Sequence, residues 1–67
     1  MKPKTTFLSH YLDLDTMKYW IRVQATQDGV KSNGVGVNLS FTKAYEQAEQ
    51  EAIKNLQKQK DLALCTQ

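Results

Sequence analysis

The sequence predicts an α+β domain of order β-β-β-α: a three-stranded antiparallel sheet packed on one long C-terminal helix. Three observations carry this. KYWIRVQATQ (18–27) and GVGVNLSF (34–41) alternate with the period of two that half-buried strands show. Asp28-Gly29 between them is a strong hairpin signal. From Thr42 onward, alanines recur every four residues among strong helix formers.

Residues 1–4, with Pro3 and two lysines, have little to bury and read as a flexible basic arm. TTFLSHYLDL, starting at Thr5, is rich in Thr, Phe and Tyr and reads as the first strand. Two facings are open: Leu8 and Leu12 inward with His10, or Phe7 and Tyr11 inward with Ser9. The first is preferred, and it turns Phe7, Ser9 and Tyr11 outward. Asp13 to Met17 form a turn.

In the second strand, Tyr19, Ile21, Val23 and Ala25 share one face and read as core. Lys18, Trp20, Arg22, Gln24 and Thr26 share the other. A two-residue turn at Asp28-Gly29 would oppose Ser32, Gly34 and Gly36 to Ala25, Val23 and Ile21, leaving the third strand without large core side chains. A three-residue loop, or a bulge at Asn33-Gly34, places Val35 against Val23 and Val37 against Ile21. One of these two is expected, with Gly36 and Asn38 on the open face opposite Arg22 and Trp20.

The helix is expected from about Thr42, capped by the Ser40 or Thr42 hydroxyl. Its stripe of Ala44, Ala48, Ala52 and Leu56, with Tyr45 and Ile53 beside it, is small enough to approach large sheet residues. Early acids and late lysines suit the helix dipole. Residues 62–67 read as a tail, either flexible or packed on a partner.

Sixty-seven residues make a single small domain, 1–67. A chain this short buries only about 60% of its unfolded surface, so a homodimer is a reasonable expectation. Cys65 is the only cysteine and His10 the only histidine, which rules out an internal disulfide and makes a zinc cage a poor fit. No metal or cofactor is expected. The formal charge of +2 permits a polyanionic partner without demanding one. No apolar run reaches membrane-spanning length and no signal peptide is evident, so a cytoplasmic protein without a membrane partner is expected.

Catalysis finds no support. Ser9 and His10 are strand neighbours and point apart. Asp13 and Asp15 sit in a turn, where aspartate commonly bonds its own backbone. Cys65, near the end of the chain, has no cationic helix terminus to lower its pKa. The glycine pair of NGVGVN lacks the phosphate-cradling spacing and lysine. Neither an enzyme nor a small-molecule substrate is expected.

The open face carries the functional expectation. Lys18, Trp20, Arg22 and Gln24 combine cations for phosphate with flat groups for bases or sugars. Asn38, Phe7 and Tyr11 join them in the preferred facing, and Lys2, Lys4 and Lys31 would steer a polyanion. The first expectation is a module binding nucleic acid, duplex DNA above all. The alternative is a small interaction or inhibitor protein, from a phage or mobile element, docking or dimerising through the same aromatics.

Two resemblances bear on this. GVNLSFTKAYEQAEQEAIKNL resembles the C-terminal half of double-stranded RNA-binding domains, with Gly36, Ser40, Ala44, Ala48, Ala52, Ile53 and Leu56 at matching offsets. Phe41 and Thr42 stand where that family carries a lysine pair, and only Lys43 remains. The β-β-β-α order over about residues 5–58 also resembles the DNA-binding domains of integrase arms and plant ethylene-response factors. That resemblance implies a sheet laid into the major groove, with Lys18, Trp20 and Arg22 where such domains present Arg and Trp.

Overall fold

The computed structural model describes residues 3–65, with side chains through residue 62. Strand β1 spans Lys4–Asp13, β2 Lys18–Gln27, β3 Val30–Asn38, and helix α1 Phe41–Cys65. The sheet is antiparallel, in the order β1-β2-β3. The predicted β-β-β-α architecture is thus the one observed. Lys4 already belongs to β1, and α1 continues to Cys65 through much of the segment read as a tail; residues 66–67 and the arm residues 1–2 lie outside the described ones.

The core is a thin layer between β2, β3 and α1. Ile21, Val23 and Ala25 supply it from β2, and Ala44, Ala48, Ala52 and Leu56 from α1. These residues were expected there. The contribution of β3 was not. Asp28 and Gly29 form a two-residue turn with φ of 54° and 80°, the paired positive values of a type I′ hairpin. The register therefore opposes Ser32 to Ala25, Gly34 to Val23 and Gly36 to Ile21, the very arrangement the sequence reading set aside. No bulge interrupts β3 and Asn33-Gly34 makes no turn. Val35 and Val37 face away from the helix, opposite Arg22 and Trp20.

The physical reason is the closeness of the helix. A Cβ on Gly34 would fall within 2.8 Å of the Cα of Ala52, and one on Gly36 within 2.6 Å of the amide nitrogen of Ala48. Helix and strand backbones touch here, and larger side chains would hold them apart. Four helical residues rise about 6 Å and two strand residues about 6.6 Å. The steps of Gly34 and Gly36 and of Ala44, Ala48 and Ala52 are thus nearly commensurate.

In β1 the register shifts between Phe7 and Ser9, leaving Leu8 as an extra residue. Such a bulge changes the facing of everything beyond it. Before it, Thr5 and Phe7 oppose the core residues Ala25 and Val23; after it, His10 and Leu12 oppose Ile21 and Tyr19. Each facing considered from the sequence holds for one half of the strand. Phe7 lies on the helix side, stacked on Tyr45 at 5.9 Å, and Leu8 is exposed rather than core. Among the described residues no helix is long and apolar enough to cross a membrane.

Candidate functional site

With the helix on one face, the other face of the sheet is left open. Its residues fall into tiers across the three strands, set by the pairing register. Asp13 and Lys18 begin it beside the β1–β2 turn. Next come Tyr11, Trp20 and Val37, then Ser9, Arg22 and Val35. Thr6, Gln24 and Asn33 follow, and Lys4, Thr26 and Lys31 close it near the hairpin. Tiers are two residues apart, so the aromatic and lysine tiers are separated by roughly 20 Å.

The aromatic tier is organised. Tyr11 and Trp20 oppose each other across β1 and β2, with ring centroids 5.9 Å apart and planes 10° from parallel. Such cross-strand aromatic pairs contribute up to about 1 kcal/mol relative to alanines. Even so, Trp20 remains 37% exposed and Tyr11 56%. Beside the pair is a notch of about 140 Å³ lined by Ser9, Tyr11, Trp20, Ile21, Arg22 and Val35.

Charge is segregated between the faces. Lys4, Lys18, Arg22 and Lys31 are four of the chain's nine cations, and Asp13 is one of its seven acids. The open face therefore carries more excess positive charge than the whole molecule. Among the described residues the one salt bridge joins Lys60 to Asp28, 3.1 Å apart at the hairpin. The four open-face cations make none, so no ion pair among the described residues neutralises their charge.

Of the eight residues singled out from the sequence, Lys18, Trp20, Arg22, Gln24, Tyr11 and Lys31 lie together on this face. Two do not. Phe7 is turned to the helix by the bulge. Asn38 follows Gly34 and Gly36 onto the helix side, and its Oδ1 accepts the Ser40 N–H at 3.0 Å. Ser40 in turn accepts the first helical bond, from the Ala44 N–H at 2.9 Å. Asn38 thus shapes the entry to α1, which starts one residue before the expected position. Gly36 opens no space for a ligand backbone, because the helix backbone fills it. Lys2 lies outside the described residues.

Val35 was missed from the sequence. It is 44% exposed and forms one wall of the notch. Its facing was legible in Asp28-Gly29, once that dipeptide is taken at face value as a two-residue turn. Ser9 and His10 fall on opposite faces, and the His10 ring lies edge-on to Phe41 at 5.7 Å. Among the described residues, no three potential metal ligands gather. No family model, curated protein or solved structure matches the chain.

Proposed function

We propose that this protein is a non-enzymatic, cytoplasmic nucleic-acid-binding module that holds duplex DNA on the open face of its sheet. One observation carries the reading: four unpaired cations and a single acid share with an exposed aromatic pair the face the helix leaves free. The outer strands of a three-stranded sheet lie about 10 Å apart, which suits a major groove about 12 Å wide. Arg22 offers a bidentate fork for a guanine edge or a phosphate, and Gln24 the amide that pairs with adenine. Lys4, Lys18 and Lys31 supply phosphate contacts at both ends.

A gel shift at low salt tests this. Trp20→Ala and Arg22→Ala are expected to abolish the shift while leaving the circular dichroism spectrum unchanged, since neither side chain enters the core. Four phosphate contacts give a slope of log K against log salt of about −3 to −4. A wild-type protein that shifts no duplex at low salt refutes the reading.

A second reading is an acidic protein partner on the same face. Val35 and Val37 favour it, because they make the centre of the face more aliphatic than the sequence reading had it. Self-association through this face is disfavoured, because it would bring two cationic surfaces together.

A further inference from the structure

The notch beside the aromatic pair has the size and lining of a seat for one ring. Its volume is about 140 Å³, and an apolar cavity of about 150 Å³ accommodates benzene. The notch is open to solvent on one side, and one six-membered ring matches its size more closely than the fused rings of a purine do. Trp20 and Tyr11 bound it on one side, Arg22 and Ser9 on the other, with Val35 closing the flank. The Arg22 guanidinium makes no ion pair or hydrogen bond with another described side chain, so its planar donors are free for ring carbonyls. The Ser9 hydroxyl both donates and accepts.

An intact duplex has nothing to place there. Its bases show only their edges in the grooves, and their faces are covered by stacking. A base freed from its pair presents an uncovered face, which aromatic side chains take up readily.

We infer that this notch receives a single unpaired pyrimidine, so that the open face binds a duplex interrupted by one such base more tightly than an uninterrupted duplex. The inference rests on the nucleic-acid reading above. Lys4, Lys18 and Lys31 serve both duplexes equally; the notch, with Arg22 in its wall, separates them.

Fluorescence anisotropy on the full chain tests this with three labelled duplexes of one sequence: uninterrupted, with one extra unpaired dT, and with one extra unpaired dA. The dT duplex is expected to bind about tenfold more tightly than the uninterrupted one, near the lower end of what one stacked base contributes. The dA duplex should gain less. Val35→Phe fills the notch from an exposed strand position, and its ratio of dT-bulged to uninterrupted affinity should fall to near one. Circular dichroism checks its fold. Equal binding of all three duplexes by the wild type, or an undiminished ratio in Val35→Phe, overturns the inference alone. Binding to none of them at low salt overturns the nucleic-acid reading with it.

Discussion

Met17 holds a backbone conformation that methionine seldom adopts, with φ at 60°. It closes the β1–β2 turn: its N–H donates to the Asp13 carbonyl at 2.6 Å, while the Asp15 N–H donates to Asp13 Oδ1 at 3.0 Å. Its side chain is largely exposed and offers no packing in return. A residue with a Cβ pays about 1–2 kcal/mol in this region, against the roughly 0.5–1 kcal/mol that glycine loses in chain entropy. Met17→Gly is therefore expected to stabilise the fold by about 0.5 kcal/mol, read as a higher urea midpoint at unchanged m-value. Asp28 is in the same region at φ 54° but differs in kind. Aspartate tolerates it, and the Lys60 ammonium donates to its Oδ2 at 3.1 Å and to Gln27 Oε1 at 3.0 Å, tying hairpin to helix.

At the scale of elements, the contact between α1 and β3 depends on two missing side chains. Gly36→Ala would drive a methyl into the Ala44 and Ala48 backbone. Backbone cannot swing aside as a side chain tip does, so the helix must lift. The cost is expected at about 3 kcal/mol, the upper end for overpacking. In a domain this small that lowers the thermal midpoint by about 12 °C or more, measurable by circular dichroism. Gly29→Ala makes a useful contrast. Nothing surrounds that position, and only its φ of 80° opposes the change, so the loss should stay near 1 kcal/mol.

At the scale of the whole molecule, both sheet edges are protected, by different means. On β3, Gln47 Oε1 accepts the outward Val37 N–H at 3.3 Å, and Asn55 Nδ2 donates to the outward Asn33 carbonyl at 2.9 Å. Eight helical residues rise about 12 Å and four strand residues span about 13 Å, so two amides on one helix face reach both groups. On β1, the Leu8 bulge breaks the alternation, and a second strand can match the facing of only one half at a time. Edges left open invite strand addition. The double variant Gln47→Ala/Asn55→Ala is expected to stay folded, losing about 2 kcal/mol at most. It is also expected to self-associate more strongly than the parent as concentration rises, read by sedimentation velocity. With both edges blocked, the open face is the surface left charged and aromatic.

The residues show where prediction from the chain held and where it stopped. Alternation in 18–27 was enough to put Trp20, Arg22 and Gln24 opposite the core, because a strand flanked on both sides has one consistent phase. It failed for β3, where the valines looked like core and the glycines like surface. Hydrophobicity ranks side chains singly, whereas the α1–β3 contact is decided by how near two backbones come. The matching steps of Gly34–Gly36 and of the alanines held that signal, but only for a reader pairing the two segments. The first strand was ambiguous because no single phase describes it; the bulge at Leu8 satisfies both halves. Phe7 left the candidate site because of the bulge; Asn38 left it and Val35 entered it because of the β2–β3 register. By itself, then, the sequence determined the elements, their order and the exposed Trp20 strand, since these follow from local periodicity and turn chemistry. Only the tertiary structure decided which faces of β1 and β3 accompany that strand, because register is set by contacts between segments distant along the chain.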